Sequence, residues 1–422
     1  MKIIYLHQYY NNKNMSGGTR SYEFAKRLVE QGHEVHLITA WRGRGRGHDW
    51  FKTNDDGINV HWLPVEYSNH MPYNKRIKAF FKFAFGAAKM AVKIGGDIIF
   101  ATSTPLTIAI PAAWAKFKLG IPIVFEVRDL WPELPIAMGA LRNPFAKFIA
   151  KILERFAYFN SRAVVALSPG MKEGVIKTGY PRKKVAVIPN SSDTALFDVD
   201  QEFGKLFRQK RPWLSNSPIL LYTGTFGVIN GVSYLVDLAV EFLQINSNIK
   251  ILVIGDGAEF DFVVDRAKNL GVLEVNFFVE QGIPKSEIAS ALSAATFASA
   301  LFIDKPEMRA NSANKFFDAL AAGKPLVINY GGWMHNLVID NNCGVAAWKL
   351  PLDQVAFELN EKSQNPEWLS MASQNSRDLA YSKFSRDFLS EKLNSILVCA
   401  ASNYEVNAEE IAPDIFSKRT IN

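Results

Sequence analysis

Short uninterrupted apolar runs alternate with longer stretches of helical periodicity along most of this chain, and that alternation limits the fold more than any other feature. Lys2-Ile3-Ile4-Tyr5-Leu6 leads into a helical pattern over residues 22–28 that Gly32 closes, and further apolar runs lie at 35–38, 58–62, 98–100, 123–127, 164–167 and 185–188. Strands apolar on both faces that alternate with helices belong to a parallel sheet covered on both sides. The pattern restarts at 219–222, continues through a helix near 234–242 and a strand at 249–254, and adds βα units up to residue 327. The expected fold is therefore α/β, with two Rossmann-like, doubly wound parallel-sheet domains facing a cleft and ligand sites at the carboxyl ends of the strands. An N-terminal domain is expected over 1–190 and a C-terminal one over 215–383. The polar, proline-bearing stretch 189–218 reads as the linker, helices follow at about 384–400, and residues 401–422 read as a polar tail. With 422 residues, each half is long enough to bury its own core.

Several function classes fall away. Neither half carries G-x-G-x-x-G after its first strand, and the Walker loop is absent, so dehydrogenase and nucleotide triphosphatase readings lose their main support. Only Cys343 and Cys399 are present, and no His-Glu-x-x-His or Cys-x-x-Cys occurs, so neither a disulfide framework nor a zinc site is expected. A reducing cytoplasm fits. The N-terminal apolar run is too short for a secretory signal and reads as a strand. The uncharged stretch 98–115 contains Pro105, Pro111 and four hydroxyl residues, which suits a strand, a turn and a buried helix start better than a membrane span. The net charge of +7 is modest, and nucleic acid is not an expected partner.

Glycines gather where strands end. Gly17 and Gly18 lie between the first strand and the first helix, Gly224 and Thr225 follow the strand at 219–222, and Gly255, Asp256 and Gly257 follow the next. Such turns either expose backbone N–H groups to a phosphate or are ordinary strand-to-helix connections. The segment Asn311-Ser312-Ala313-Asn314-Lys315-Phe316-Phe317-Asp318 to Pro325 carries more information. Ser312 is a plausible N-cap and Gly323 a C-cap, and Lys315 and Asp318 share one helix face. With the helix start in a cleft, Lys315 meets a diphosphate while Asp318 accepts hydrogen bonds from ribose hydroxyls; the alternative is a surface ion pair. In the first half, Glu126-Val127-Arg128-Asp129-Leu130-Trp131-Pro132-Glu133 runs off a buried strand, where charges mark either a site or a return to solvent.

Residues 74–93 form an unusual helix. Lys75, Lys78, Lys82, Lys89 and Lys93 are expected on one face and Phe80, Phe81, Phe83, Phe85 and Met90 on the others, with no acid between Glu66 and Asp97. It suits either an interfacial helix on anionic lipid or a mostly buried helix with a solvated lysine stripe.

At these motifs the chain resembles glycosyltransferase family 4, the retaining transferases of GT-B fold, and looks closest to the branch with fucosaminyltransferases of bacterial O-antigen and capsule synthesis. The resemblance runs from about residue 1 to 397 and rests on 125–133, Leu167-Ser168-Pro169-Gly170-Met171-Lys172, Val187-Ile188-Pro189-Asn190 and the 314–325 helix. It implies a UDP-sugar donor bound mainly by the C-terminal domain, no cofactor or metal, and a polyprenyl-diphosphate-linked saccharide acceptor. It also implies a place on the cytoplasmic face of the plasma membrane, met through the Lys75–Lys93 helix. Gly17 and Gly18 approach the diphosphate from the N-terminal side, and Arg128 stands where many relatives carry a histidine. Lys315 and Arg128 then stabilise the departing diphosphate, with Asp129 or Glu126 in support. Gly224, Thr225, Gly255, Asp256, Gly257, Asn311, Ser312 and Asn314 surround the donor, Asp318 matches the second acid of the family's Glu-x7-Glu element, and the last helices cross back to the first domain. Two departures stand out. Ala310 replaces the first acid of that element, and residues 226–231 lack the Arg and Lys pair of many relatives. A UDP-sugar 2-epimerase of the same fold and a non-catalytic sugar-nucleotide-binding partner are the alternative readings. Asp198-Val199-Asp200 spells a metal-diphosphate motif of another transferase fold, but it falls in the expected linker and reads as coincidence.

Overall fold

The computed structural model describes residues 1–15, 17–43, 47, 49–67, 71–139, 141–402 and 404–413, and divides the chain into two compact units. The first comprises 1–189 with 387–422, the second 190–386.

The first unit is an eight-stranded sheet. Its strands are β1 (Lys2–Leu6), β2 (Glu34–Trp41), β3 (Phe51–Asp55), β4 (Ile58–Pro64), β5 (Ile98–Thr102), β6 (Ile123–Val127), β7 (Ala163–Ala166) and β8 (Val185–Val187). They lie in the order β3-β4-β2-β1-β5-β6-β7-β8, all parallel except the β3–β4 hairpin. β1, β5 and β6 are apolar along almost their whole length because helices cover both faces. The strand order reverses direction between β1 and β5, which puts the ends of β1, β5 and β6 at a topological switch point.

The second unit is a six-stranded parallel sheet of β9 (Ile219–Thr225), β10 (Lys250–Asp256), β11 (Phe277–Glu280), β12 (Phe297–Ala300), β13 (Leu326–Ile328) and β14 (Gly344–Ala346), ordered β11-β10-β9-β12-β13-β14. Its switch point lies between β9 and β12.

Two expected boundaries need correction. The stretch 189–218 is not a free linker: the Gln201–Gln209 helix buries Phe207 and packs against the Lys285–Ala294 helix, and Arg208 donates to the Ala294 carbonyl at 2.7 Å. Sparse apolar residues at helical spacing, hidden among polar ones, make this helix amphipathic. The second unit therefore begins at Asn190 rather than at 215. Asp200 of the D-x-D accepts a hydrogen bond from the Glu202 N–H at the start of that helix, which is the work of an N-cap. Nor is the C-terminal segment a bare polar tail. The Arg386–Ala401 helix buries Leu389, Leu393, Ile396 and Leu397 in the first unit's core beside Tyr5 and Leu28, and Val406, Ala408 and Ala412 are buried after it. Glu409 pairs with Lys172 at 2.6 Å, which anchors the segment.

Candidate functional site

In the first unit, the ends of three neighbouring strands bring His7, Ser103, Glu126, Arg128 and Asp129 together. Arg128 donates to His7 Nε2 at 3.3 Å, and its own backbone N–H bonds Ser103 Oγ at 2.9 Å. Burial, then the charges of Arg128 and Arg42, holds the His7 imidazole well below its ordinary pKa, so it is neutral and accepts. Asp129 accepts a hydrogen bond from Thr104 at 3.0 Å and remains half-buried.

Glu126, expected in support of Lys315 and Arg128, is enclosed by the fold. It is fully buried, pairs with Arg20 at 2.8 Å, and accepts from Thr102 at 2.6 Å. Burial alone raises its pKa, but the charges of Arg20 and Arg128 and the hydrogen bonds from Arg20 and Thr102 more than offset that and hold it below the usual carboxylate range. Arg20 also donates to the carbonyls of Pro189 at 2.6 Å and Ile188 at 2.9 Å. Enclosed in this way, Glu126 is a positioning residue that locks the first helix and the β8 end to β6. Arg20 went unnoticed in the sequence because a basic residue opening an amphipathic helix looks solvated. Gly17 is exposed with φ +119°, and the Asn11 side chain lies against it where a Cβ would sit 2.7 Å from Nδ2. The Gly18 carbonyl accepts weakly from the same Asn11 at 3.5 Å.

The second unit places its site at the switch point. β9 ends in Tyr222-Thr223-Gly224-Thr225, and the Asn314–Ala321 helix starts beside it. Lys315 Nζ donates to the Tyr222 hydroxyl at 2.7 Å and lies 3.9 Å from the ring centroid, while that hydroxyl donates to the Thr225 carbonyl at 2.8 Å. A side chain on Gly224, at φ +146°, would come within 2.9 Å of the ammonium. Glycine here therefore makes room for Lys315, and only glycine adopts that backbone without strain. Burial pulls the Lys315 pKa down to about 7. The ammonium is thus drawn out of water over a neutral ring, and among the described residues no carboxylate pairs with it.

Lys315 and Asp318 do not form the surface ion pair that their spacing allowed. Asp318 accepts from Ser192 Oγ at 2.9 Å, a residue of the segment that opens this unit. Two other expectations change. Ser312 is not the N-cap, because its Oγ accepts the Asn190 N–H at 3.1 Å while its own N–H goes to Asn311 Oδ1 at 2.6 Å; Ala313 occupies the cap position. With both groups engaged, Ser312 fixes the loop. Ala322, not Gly323, is the C-cap, and Gly323 follows it at φ +63°. Trp333 Nε1 donates to the Asn311 carbonyl at 2.7 Å, and Asn314 stays exposed at the helix start.

Gly255 is also corrected. It is buried, and a Cβ would lie 1.8 Å from the Gly224 carbonyl of the paired strand, so this glycine serves strand packing. Asp256 is exposed and turns back to accept the Gly257 N–H at 2.7 Å. Tyr222, Ser192 and Asn190 were missed as site residues. The signal for Tyr222 was available in principle, as a phenol just before a glycine at a strand end; the other two are set by contacts more than a hundred residues distant. Among the described residues, no three His, Cys, Asp or Glu side chains gather as a metal-ion site.

Comparison with known proteins matches both units. Residues 17–191 match the Glycosyl transferase 4-like domain, and 205–378 match Glycosyl transferases group 1. An alpha-monoglucosyldiacylglycerol synthase of Streptococcus pneumoniae is 23% identical over 326 residues, covering 75% of this chain and 68% of the relative. A putative colanic acid biosynthesis glycosyl transferase, WcaI of Escherichia coli, is 23% identical over 293 residues, covering 66% and 71%. Among solved structures, Anabaena Alr3699/HepE in complex with UDP and glucose superposes with a TM-score of 0.70 at 17% identity, covering 94% of this chain and 99% of that one. With two transferase domains matched in order along most of its length, on two parallel-sheet α/β units, this chain belongs to the GT-B glycosyltransferases and is a glycosyltransferase enzyme.

Proposed function

We propose that the protein transfers a sugar, with retention at the anomeric carbon, from a UDP-sugar to a polyprenyl-diphosphate-linked saccharide in the synthesis of a bacterial surface polysaccharide such as O-antigen or capsule. The sugar is an amino-deoxy hexose of the N-acetyl-L-fucosamine kind. The observation that carries the donor reading is Lys315, a buried ammonium that only the neutral Tyr222 side chain meets among the described residues, at the switch point of the second unit. A nucleoside diphosphate supplies the missing anion. The UDP in the complex with HepE and the polysaccharide named for WcaI support the donor and acceptor classes.

In the reaction, the bond between the anomeric carbon and the diphosphate oxygen breaks, the acceptor oxygen bonds the same face of that carbon, and its proton passes to the leaving phosphate. Lys315 and the N–H groups at the start of the Asn314–Ala321 helix stabilise the charge that develops on the diphosphate, and Arg128 supplies a second positive charge. Gly17, Gly18 and Gly224 offer backbone, Asp318 holds the ribose, and Asp129 orients the acceptor hydroxyl. No metal is required for this chemistry. The acceptor's lipid brings the enzyme to the cytoplasmic face of the membrane, where the lysines of the Tyr73–Ile94 helix meet anionic lipid.

The test is incubation of purified protein with a panel of UDP-sugars, with and without lipid-linked acceptor, with the product anomer read by NMR. Transfer only with acceptor, giving the donor's anomeric configuration, is expected. An epimerised nucleotide sugar without acceptor, or tight binding with no turnover, overturns the reading.

A further inference from the structure

Three helices of the first unit carry an outer surface that stays exposed among the described residues. They are Tyr73–Ile94, Ala109–Leu119 and Pro144–Phe159, packed side by side with the second in the middle. The third is the most unusual. Phe145, Phe148, Ile149, Ile152, Phe156 and Phe159 recur at helical spacing along its outer face, and all are exposed, Phe145 by 72%. Its inner face already buries Ala157 and Tyr158, so the outer stripe is a second apolar face that the sheet does not use. On the middle helix, Trp114 and Phe117 continue the surface, Phe117 exposed by 77%.

The first helix corrects an expectation. Phe81 and Phe85 are not turned away from the lysines but stand exposed among Lys78, Lys82 and Lys89, Phe85 by 62%. Residues 78, 82, 85 and 89 fall on one stripe of an α-helix, so the phenylalanines and lysines share a face.

Charge says what covers this surface. The three helices hold six, two and three basic residues and a single acid, Glu154. Glu154 is buried against Tyr158, and burial, then the charge of Glu133, pushes its pKa up to about 8, so it is mostly protonated at neutral pH. The cations border the apolar stripe: Lys118 Nζ lies 5.0 Å from the Trp114 ring centroid, and the Arg155 guanidinium 5.2 Å from that of Phe159. Apolar side chains fringed by cations match the boundary between acyl chains and anionic headgroups. A second copy of this surface opposes it with the same charge. No helix among the described residues is long and apolar enough to cross a membrane.

We propose that these three helices form one membrane-docking surface, in which the aromatic stripe of Pro144–Phe159 inserts between the lipids and the lysines of Tyr73–Ile94 hold the anionic headgroups. It deepens the membrane placement proposed above, but it is read without donor or acceptor, so its failure leaves the transferase reading standing.

The test is co-sedimentation of the full chain with vesicles of phosphatidylcholine containing about 30% phosphatidylglycerol, and with phosphatidylcholine alone. Wild type is expected to bind the anionic vesicles. The F148S/I152S/F156S variant is expected to lose at least about tenfold in partitioning at low and high salt, because its loss is apolar. K78E/K82E/K89E loses binding too, and what binding remains no longer varies with salt. Brominated lipid quenches wild-type tryptophan fluorescence more than that of W114F. Circular dichroism and UDP binding, measured without vesicles, check that each variant is folded. Unchanged partitioning of the F148S/I152S/F156S variant overturns the proposal, as does a salt-resistant dimer of the wild type that binds no vesicles and that this variant abolishes.

Discussion

An ammonium whose pKa is drawn to about 7 is a cost that the folded state carries, and Lys315 is where this protein carries it. In the unfolded chain a lysine titrates near ~10.4. Between about 7 and 10 the unfolded chain therefore holds a proton that the folded chain has released, so stability rises with pH across that window, and the penalty is full below pH 7. K315M is expected to raise the melting temperature at pH 6, by the equivalent of at least about 1 kcal/mol, and to leave it unchanged above roughly pH 10. The same substitution should lower turnover. UDP affinity of the wild type should fall as pH rises above 7, because binding the diphosphate takes up the missing proton. A melting temperature that K315M lowers at pH 6 contradicts this account. Asp318 is expected to behave differently, since ribose hydroxyls carry no developing charge. D318N should mainly raise the donor KM, whereas K315A should lower kcat more than it weakens ground-state binding. Donor titrations of the two variants decide between these roles and a purely structural one.

At the scale of the element, the two sites are built in the same way: a strand end supplies backbone and a neighbouring element supplies charge. In the first unit, the buried Arg20–Glu126 pair ties the opening helix to β6 and to the carbonyls that end β8, which fixes the backbone from which Arg128 projects. In the second, Asn190 and Ser192 hold the Ser312 loop and Asp318. The Arg386–Ala401 helix is equally integral, with Leu393 fully buried in the first unit's core. L393A is expected to destabilise that unit by about 2–5 kcal/mol through the cavity it leaves, read by urea unfolding. A cost below about 1 kcal/mol would mean that the helix only rests on the core.

For the whole molecule, the proposed chemistry needs charge on the diphosphate to be met by Lys315, Arg128 and backbone N–H groups, without a divalent ion. Excess chelator is therefore expected to leave the transfer rate within about twofold. Loss of activity that manganese restores would assign the charge stabilisation to a metal instead.

The two wound sheets were legible from the residues alone, because unbroken apolar strands alternating with helices have few other ways to bury both faces. The sequence also marked the 314–325 segment and the 125–133 strand end, where glycine, charge and proline interrupt the apolar pattern. It could not say which charges were in contact. Glu126 looked like Asp129 until Arg20, 106 residues away, enclosed it, and the face shared by Lys315 and Asp318 left an ion pair as an alternative until Tyr222 and Ser192 took the two side chains apart. Gly255 looked like Gly224 until the neighbouring strand came within reach of its missing side chain. The linker and tail misled for a related reason: a few apolar residues among polar ones identify a buried face only once another element is there to cover it. These contacts came only with the folded chain, because local pattern reports periodicity and burial tendency, while partner choice depends on which distant residues the chain brings to the same strand end.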